Sequence, residues 1–441
     1  MTTVVAEVRL WGRRIGAVAL PENTRYAAFE YDPEFAQSGI EVAPLKMPLS
    51  DRVYQFPELA LPSFHGLPGL LADSLPDRFG NRLIDAWLAR QGREPASMHV
   101  IERLCYVGRR GMGALEFEPA QGPTRTDGTR LDIAALVELA SKVLAERTAF
   151  STSIEDDDLL RDILRIGTSA GGARAKAILA WNRQTGEVRS GQADVGAGFE
   201  HWLLKFDGVT GNRDKELADP QGFGAIEYAY SLMATAARIE MTECRLLEEN
   251  GRRHFMTKRF DRVDSRDRST KLHMQSLGAL AHYDFNLAGA YGYEQAIQVM
   301  RSLALPMDQI EELFRRMTFN IVARNHDDHV KNIAFLMNRE GVWRLSPAFD
   351  VTYSFNPDGA WTSQHQMTMN GKRDHFDRSD FETCGRNAGL ARGRALAILD
   401  EVLHIVARWP EFAARAALPE DVTRQIGNAL RHEALSVAGN R

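Results

Sequence analysis

The stretch Asn325-His326-Asp327-Asp328-His329-Val330-Lys331-Asn332 is the most informative part of this chain, and Phe349-Asp350-Val351 follows it. Asp and Asn oxygens at this spacing suit phosphoryl-transfer chemistry. Asp327 can accept the proton of an attacking hydroxyl. Asn332, five residues on, and Asp350, eighteen residues after that, can hold Mg²⁺ on a nucleoside triphosphate. The stretch therefore predicts a catalytic loop with a general base and two metal ligands.

Two other interpretations of these eight residues are open. Asp and Asn also concentrate at helix caps and turns, so residues 325–332 could simply cap a helix predicted for residues 309–324. His326 and His329 could belong to a metal-dependent phosphohydrolase. Zinc sites on helices, however, usually place histidines four residues apart, and these lie three apart in a loop. We expect His329 to brace the loop and, with Lys331, to approach the nucleotide.

A glycine-rich segment, Gly-Thr-Ser-Ala-Gly-Gly-Ala-Arg-Ala-Lys at residues 167–176, leads into an apolar strand predicted for residues 177–181. It is neither a Walker A sequence nor Gly-x-Gly-x-x-Gly, but consecutive backbone N–H groups of such a loop can bind phosphate oxygens. The hydroxyls of Thr168 and Ser169 and the amine of Lys176 add polar groups. We predict a nucleotide-binding loop whose contacts include Ser169, Ala170, Gly171 and Gly172. A flexible linker is the alternative.

Two further segments have the composition of a nucleotide site. Lys205 ends an apolar strand predicted for residues 201–206 and can reach the α- and β-phosphates, and Glu227, on the next predicted helix, can pair with it. An Asn250-Gly251 turn then predicts a hairpin, whose second strand ends at Lys258-Arg259-Phe260-Asp261-Arg262. We predict that backbone groups of Lys258 and Phe260 meet the adenine edge there. The alternatives are a solvated lysine at position 205 and core packing for the Phe260 ring.

Composition places the chain among ordinary globular proteins. Hydrophobic residues make up 44% and charged residues 26% of its 441 residues, and the formal charge of −5 disfavours a general nucleic-acid binder. We read the basic stretch 258–271 mainly as solvated surface. The three cysteines lie far apart, which argues against disulfides or a zinc ribbon, and we identify neither a signal peptide nor a membrane-spanning run. We expect a soluble, cytoplasmic protein.

The order of predicted elements indicates the organisation of the chain. Strands at residues 4–10, 15–20 and 26–31 precede a helix starting at Pro76-Asp77-Arg78 and a turn-rich segment, 103–117, that returns to the sheet. We place a β-rich subdomain at 1–120, an ATP-binding part with glycine loop and hinge at 131–262, and a helical lobe with the catalytic loop at 263–441. The expected fold is α+β: a bilobal, protein-kinase-like fold, with a small mixed N-terminal lobe preceded by a β subdomain, and a helical C-terminal lobe.

With these residues assembled, the chain resembles the HipA family of serine/threonine kinase toxins from bacterial toxin–antitoxin systems. The likeness runs nearly from end to end. It rests on several segments in order: LPDRFGN at 75–81, RLCYVGRRGMGALEFEP at 103–119, GTSAGGARAK at 167–176, WLLKF at 202–206, KRFDR at 258–262, NHDDHVKN at 325–332 and LSPAFDV at 345–351.

The resemblance implies ATP and Mg²⁺, with Asp327 as the base and Asn332 and Asp350 as metal ligands. It also implies that Ser169, with Thr168 as a second candidate, is autophosphorylated to switch the enzyme off. A phosphate there would place nearly two negative charges where the nucleotide phosphates bind. The implied protein substrate is a translation protein such as an aminoacyl-tRNA synthetase. The implied partner is a HipB-like DNA-binding antitoxin, through which DNA is contacted only indirectly; no membrane is involved.

Three positions depart from the family pattern. Asp328 stands where glycine is common, Lys258 where some members have glutamate, and Ala175 where others have a bulkier or charged residue. We expect Asp328 to crowd the magnesium site. The leading hypothesis is a serine/threonine kinase toxin. A catalytically silent kinase-fold co-repressor or binding module is the alternative, and a metal-dependent phosphohydrolase is a third.

Overall fold

The computed structural model describes residues 4–121, 132–145, 163–164, 167, 174–191, 198–209, 213–214, 217–218, 222–264 and 269–436. The predicted glycine-loop residues Thr168, Ser169, Ala170, Gly171 and Gly172 lie outside these ranges, as does most of the helix predicted at 155–165. The joint predicted at 121–130 also lies outside them except for its first residue. The predictions made for these residues therefore stay predictions.

The N-terminal subdomain is a four-stranded antiparallel sheet, as its alternating sequence predicts. Its spatial order is β3-β2-β1-β4, with β1 at Val4–Leu10, β2 at Arg13–Leu20, β3 at Ala28–Tyr31 and β4 at Leu115–Glu118. One face of each strand is buried, since alternate residues of a strand point to opposite sides. The sheet thus presents a single apolar face to the rest of the molecule.

Five helices and one 3₁₀ turn lie between β3 and β4. They are α1 (Pro33–Ala36), α2 (Leu61–Phe64), α3 (Gly69–Ala72), α4 (Arg78–Arg90), the 3₁₀ turn Pro95–Ser97 and α5 (Val100–Val107). Helix α4 begins where predicted, with Asp77 as its N-cap. The prediction of a turn-rich segment from residue 103 is wrong at its start, because residues 103–107 are the end of α5. Apolar residues at helical spacing there outweigh the nearby glycines.

A five-stranded antiparallel sheet forms the predicted nucleotide-binding part. Its order is β10-β11-β7-β5-β6, with β5 at Lys176–Trp181, β6 at Val188–Ser190, β7 at Glu200–Lys205, β10 at Cys244–Glu249 and β11 at Arg252–Lys258. Two-residue strands β8 (Arg213–Asp214) and β9 (Leu217–Ala218) pair separately. Helix α6 (Ile133–Ala145) precedes the sheet, and α7 (Phe223–Ala236) follows β7. The predicted hairpin is present, and Asn250 and Gly251 both have the positive φ that its turn requires.

The rest of the described chain is mainly helical and also contains two small sheets. Strands β12 (Arg262–Asp264) and β13 (Ser269–Lys271) pair, and β14 (His273–Ser276), β15 (Ala334–Met337) and β16 (Trp343–Leu345) form a second sheet. The helices are α8 (Leu277–Ala281), α9 (Tyr293–Ser302), α10 (Met307–Val322), α11 (Arg378–Asn387), α12 (Arg394–Val406), α13 (Trp409–Arg415) and α14 (Glu420–Ala429). The predicted mainly helical lobe is therefore confirmed.

Buried apolar residues form two clusters that cut across the predicted domain boundaries. The larger joins the N-terminal sheet to the helices of the C-terminal lobe. The smaller packs Phe79, Leu83 and Leu88 of α4 against α6 and against β5 and β7 of the nucleotide-binding sheet. The N-terminal subdomain is thus packed against both lobes, because its apolar surfaces are buried between them.

The segment after β11 contains a buried ionic junction at residues 259–262, and for these residues it corrects the prediction that 258–271 is mainly solvated surface. Asp261 is fully buried and accepts hydrogen bonds from Arg259 at 2.9 and 2.6 Å and from Arg262 at 2.7 Å. The backbone N–H of Gly113 donates to the same carboxylate at 2.7 Å. Burial opposes the charge, but the two arginines outweigh it and hold the pKa of Asp261 below its usual range.

Within the described residues, no helix combines the length and the apolar character that crossing a bilayer requires.

Candidate functional site

The predicted catalytic loop follows α10 directly. The side chain of Asn325 donates to Asn320 Oδ1 at 3.0 Å, and Ser354 Oγ donates to Asn325 Oδ1 at 2.8 Å. The backbone N–H of Asn325 also donates to the carbonyl of Asn320. The capping interpretation therefore holds for Asn325, which connects the loop to the end of α10. The side chains of the residues after Asn325 make other contacts.

Asp327 is fixed by contacts at both its side chain and its backbone. Trp361 Nε1 donates to Asp327 Oδ1 at 2.7 Å, and Asn332 Nδ2 donates to the Asp327 carbonyl at 2.9 Å. The Asp327 side chain is 23% exposed, so solvent and substrates can reach it. Trp361 was missed by the sequence reasoning, because no periodicity or spacing links a tryptophan 34 residues away to the loop.

His329 braces the loop, as expected. Its Nδ1 accepts from the backbone N–H of Lys331 at 3.2 Å, and its Nε2 lies 3.9 Å from Asp327 Oδ2. Since Nδ1 is an acceptor, the neutral ring carries its proton on Nε2, facing the carboxylate. The amine of Lys331 lies 4.6 Å from the centre of the Phe285 ring, a cation–π contact.

Lys205 is the centre of a charged cluster. Its amine is 2.6 Å from Glu227 Oε1 and also donates to Asp350 Oδ1. The Glu227 pair forms because α7 packs tightly on β11, where a Cβ on Gly224 would collide with the carbonyl of Arg253. Lys205 is buried, and the alternative interpretation of a solvated lysine is therefore excluded.

Electrostatics keep Lys205 and Asp350 charged, whereas burial raises the pKa of Glu227 above its ordinary value. Burial by itself would lower the pKa of Lys205, but Asp350 and Glu227 outweigh it and hold that pKa above its ordinary value. Burial likewise opposes ionisation of Asp350, yet Lys205, with Lys176 and Arg174, holds its pKa below the usual range. Asp350 has a positive φ of 54°, a left-handed conformation that Asp tolerates better than most residues.

A second buried lysine, Lys176, is the last residue of the predicted glycine-loop segment. Lys176 and Asp77 are both 3% exposed at their side chains, and Lys176 Nζ lies 3.5 Å from Asp77 Oδ2. The Arg174 guanidinium stacks on the Phe223 ring and lies 4.0 Å from Glu227 Oε2. Lys205, Lys176 and Arg174 all favour the ionised form of Asp350, and such a concentration of positive charge suits a site for anionic phosphates.

The predicted hinge residues lie where β11 leaves the sheet. The backbone N–H of Lys258 donates to the Glu243 carbonyl, so a contact of Lys258 with adenine would have to use its carbonyl. Its amine pairs with Glu200 at 2.9 Å. The Phe260 ring packs against Phe349 with centroids 5.5 Å apart, next to Asp350.

Asp328 is turned into the interior of the lobe, which corrects the expectation that it crowds the magnesium site. Its carboxylate accepts from Tyr293 Oη at 2.8 Å, from His365 Nδ1 at 3.0 Å and from the Gln366 N–H at 2.8 Å. Burial raises its pKa to about 6. The residue faces away from solvent because three donors satisfy it inside.

His326 is buried as well. Its ring donates from Nδ1 to the Thr362 carbonyl at 3.0 Å, and burial lowers its pKa to about 2. Across the described ranges, no three His, Cys, Asp or Glu side chains are grouped so that they could hold a metal ion. The phosphohydrolase interpretation therefore gains no support from this part of the chain.

A pocket behind the loop brings several predicted residues together. It is lined by Asn325, Asp328, His329, Asn332 and Asp350, together with apolar residues of α10 and of the segment 348–351. An amide and a carboxylate oxygen beside a buried lysine fit Mg²⁺, which takes few protein ligands and completes its shell with phosphate and water oxygens. The pocket thus brings Asn332 and Asp350 together, and Asp350 also contacts Lys205 of the nucleotide-binding sheet.

The fold and site define a class, that of two-lobed proteins with a kinase-like fold: an antiparallel sheet whose lysine pairs with a helix glutamate, followed by a helical lobe. The chain belongs to the HipA family. The profile described as the HipA-like C-terminal domain matches residues 168–409, more than half of the chain, and that of the HipA N-terminal domain matches residues 6–118. The family resemblance and the predicted fold class are confirmed.

One similar solved structure agrees with the fold. A chain of the Shewanella oneidensis MR-1 toxin–antitoxin complex of HipA, HipB and operator DNA is 16% identical with a TM-score of 0.68, and the match covers 98% of this chain and 97% of that one. The Helicobacter pylori proinflammatory kinase CtkA is 11% identical with a TM-score of 0.35, over 53% of this chain and 87% of its own. No curated protein sequence matches this chain.

Proposed function

We propose that this protein is an ATP- and Mg²⁺-dependent protein serine/threonine kinase that acts in the cytoplasm as the toxin of a toxin–antitoxin pair. The observation that carries the proposal is the position of Lys205, whose amine contacts both Glu227 and Asp350. In kinases a strand lysine paired to a helix glutamate grips the phosphates, and an aspartate after the catalytic loop holds the metal.

The residues divide the work as follows. Asp327 orients the acceptor hydroxyl and takes its proton, and Lys205 binds the α- and β-phosphates. Asn332 and Asp350 hold the metal, which when bound neutralises phosphate charge. His329 and Lys331 keep the loop in shape next to the nucleotide, and the adenine lies at Lys258 and Phe260.

We place the regulation of kinase activity in the glycine loop. We propose that Ser169, Ala170, Gly171 and Gly172 cover the phosphates and that phosphorylation of Ser169 or Thr168 switches the enzyme off. A phosphorylated loop would place its charge near Asp350, where ATP phosphates must bind. Lys176, at the described edge of the loop, is buried beside that region.

The partners follow from the family. The similar Shewanella chain was solved in a complex with HipB and operator DNA, and we propose a HipB-like antitoxin for this chain, with DNA contacted only through it. The proposed substrate is a translation-related protein such as an aminoacyl-tRNA synthetase.

The direct test is incorporation of label from [γ-³²P]ATP with Mg²⁺ into the purified protein and into added translation proteins. We expect label with the wild type, and loss of it with Asp327→Ala or after EDTA. Asp308→Ala is the matched control, because Asp308 is exposed in the first turn of α10, at the end of that helix far from the loop. Ser169→Ala and mass spectrometry of residues 168–169 test the inhibitory phosphate.

The outcomes separate the candidate functions. Nucleotide binding without transfer, or no nucleotide binding at all, would contradict the kinase and leave a silent binding module. Release of phosphate only, in a protein loaded with zinc or manganese, would indicate a phosphohydrolase. An unmodified loop in fully active protein would remove the autophosphorylation proposal alone.

A further inference from the structure

We propose that Trp361 is a positioning residue for phosphoryl transfer, which holds the carboxylate of Asp327 in its reactive orientation. The proposal rests on the proposed function. Its basis is the 2.7 Å hydrogen bond from the indole Nε1 to Asp327 Oδ1. An indole N–H can only donate, so this contact is made to a carboxylate acceptor and is of the stronger, charge-assisted kind.

Trp361 is itself held in place by the segment around it. The His326 ring donates to the Thr362 carbonyl at 3.0 Å, and the Gln366 N–H donates to Asp328 Oδ1 at 2.8 Å. Residues 326–328 of the loop thus contact residues 361–366 at three successive loop positions. The hydrogen bonds made by His326 and Asp328 therefore flank the one between Trp361 and Asp327 and fix the position of both partners.

The same segment is anchored to distant parts of the lobe. His365 donates from Nδ1 to Asp328 Oδ2 at 3.0 Å, and its Nε2 accepts from Arg431, beyond α14, at 3.0 Å. Asp328 also accepts from Tyr293 of α9. These side chains are buried, so the backbone that carries Trp361 has little freedom.

This arrangement gives Trp361 a defined effect on the reaction. A general base must lie within hydrogen-bonding reach of the hydroxyl it serves, and a small misplacement of a reacting group lowers the rate strongly. The hydrogen bond from the Trp361 indole holds the Asp327 side chain in one rotamer. The exposed part of the carboxylate can then contact the hydroxyl that accepts the phosphoryl group. Trp361 affects the transfer step and not the binding of ATP.

The test compares Trp361→Phe with Trp11→Phe. Both substitutions remove one indole hydrogen bond of 2.7 Å from a partly buried tryptophan, but Trp11 donates to the Lys271 carbonyl, away from the site. Total transfer from [γ-³²P]ATP, to water and to protein hydroxyls, is measured at varied ATP. We expect Trp361→Phe to lower kcat at least about tenfold with KM for ATP unchanged. Trp11→Phe should match the wild type.

Indole NMR provides a second readout. The chain has seven tryptophans, and the Nε1–H signal absent from Trp361→Phe identifies Trp361. We expect that signal to move upfield in Asp327→Asn, which weakens the acceptor, while the Trp11 signal stays in place.

Three results would overturn the inference. If the wild type transfers phosphate and Trp361→Phe equals Trp11→Phe, the positioning role alone fails. A higher kcat in Trp361→Phe would mean that the indole blocks the base. If the wild type transfers nothing, the proposed function fails and the positioning role with it.

Discussion

The amine of Lys176 lies 3.5 Å from the carboxylate of Asp77, and both side chains are almost fully buried. Asp77 caps α4 of the N-terminal subdomain, whereas Lys176 starts the first strand of the nucleotide-binding sheet. An ion pair therefore joins these two parts of the chain at the residue that ends the predicted glycine-loop segment. The N-terminal subdomain is part of the surroundings of the proposed ATP site.

This pair predicts a pH dependence of stability. Burial outweighs Lys176 and raises the pKa of Asp77 to about 7, above the roughly 3.9 of an unfolded chain. A raised pKa in the folded state means that this contribution to stability is full below about pH 4 and is lost as the pH rises through about 7. Asp77→Asn keeps a good helix cap but removes the titration.

We therefore expect the unfolding free energy of Asp77→Asn to rise relative to that of the wild type by about 3 kcal/mol between pH 5 and pH 8. Urea unfolding at the two pH values measures it. Parallel pH profiles for the two proteins would show that Asp77 does not titrate in this range.

Lys205→Met tests the cluster that carries the proposed function. Without the amine, the phosphates lose a positively charged partner and Asp350 loses the contact with Lys205, so we expect ATP to bind at least about tenfold more weakly and transfer to fall about 100-fold. A fluorescent ATP analogue reports binding, and thermal unfolding checks that the fold persists.

Lys271→Met is the matched control for this substitution. Lys271 also pairs with a glutamate, Glu116, at 2.9 Å, but in the contact between the N-terminal sheet and β13. Unchanged ATP binding in Lys205→Met would contradict the assignment of Lys205 to the phosphates.

Asp328→Gly places the residue common in the family at this position. Because Asp328 accepts three hydrogen bonds in the interior, we expect its loss to lower stability by about 3 kcal/mol and to speed amide exchange in residues 361–369. Transfer should fall with it. Hydrogen–deuterium exchange and urea unfolding measure these effects. Asp358→Gly, an exposed change in the same segment, is the control. A rise in Mg²⁺-dependent transfer would instead support crowding of the metal.

Asp261→Asn tests the junction at the hinge. Two arginines and the Gly113 N–H converge on this buried carboxylate, so removing its charge should destabilise the protein by about 3 kcal/mol. Asp400→Asn removes an exposed partner of Arg378 and should change stability by less than about 1 kcal/mol. Equal effects in urea unfolding would mean that the junction contributes no more than a surface pair.

Local patterns in the sequence determined most of the elements and the class of the protein. Alternation and turn residues predict the N-terminal sheet and the Asn250-Gly251 hairpin, because these signals act over a few neighbouring residues. The same is true of Asp327, Asn332 and Asp350, whose spacing indicates phosphoryl transfer before any fold is known. The family follows from several such segments in order.

Only the tertiary structure decided which side chains meet across long separations. It pairs Asp77 with Lys176 and Trp361 with Asp327, and it buries Asp261 in a segment that reads as solvated surface. It also turns Asp328 inward, whereas the spacing suggested a neighbour of the metal. Burial and hydrogen bonding are set by the packing of distant elements, and no local pattern encodes them.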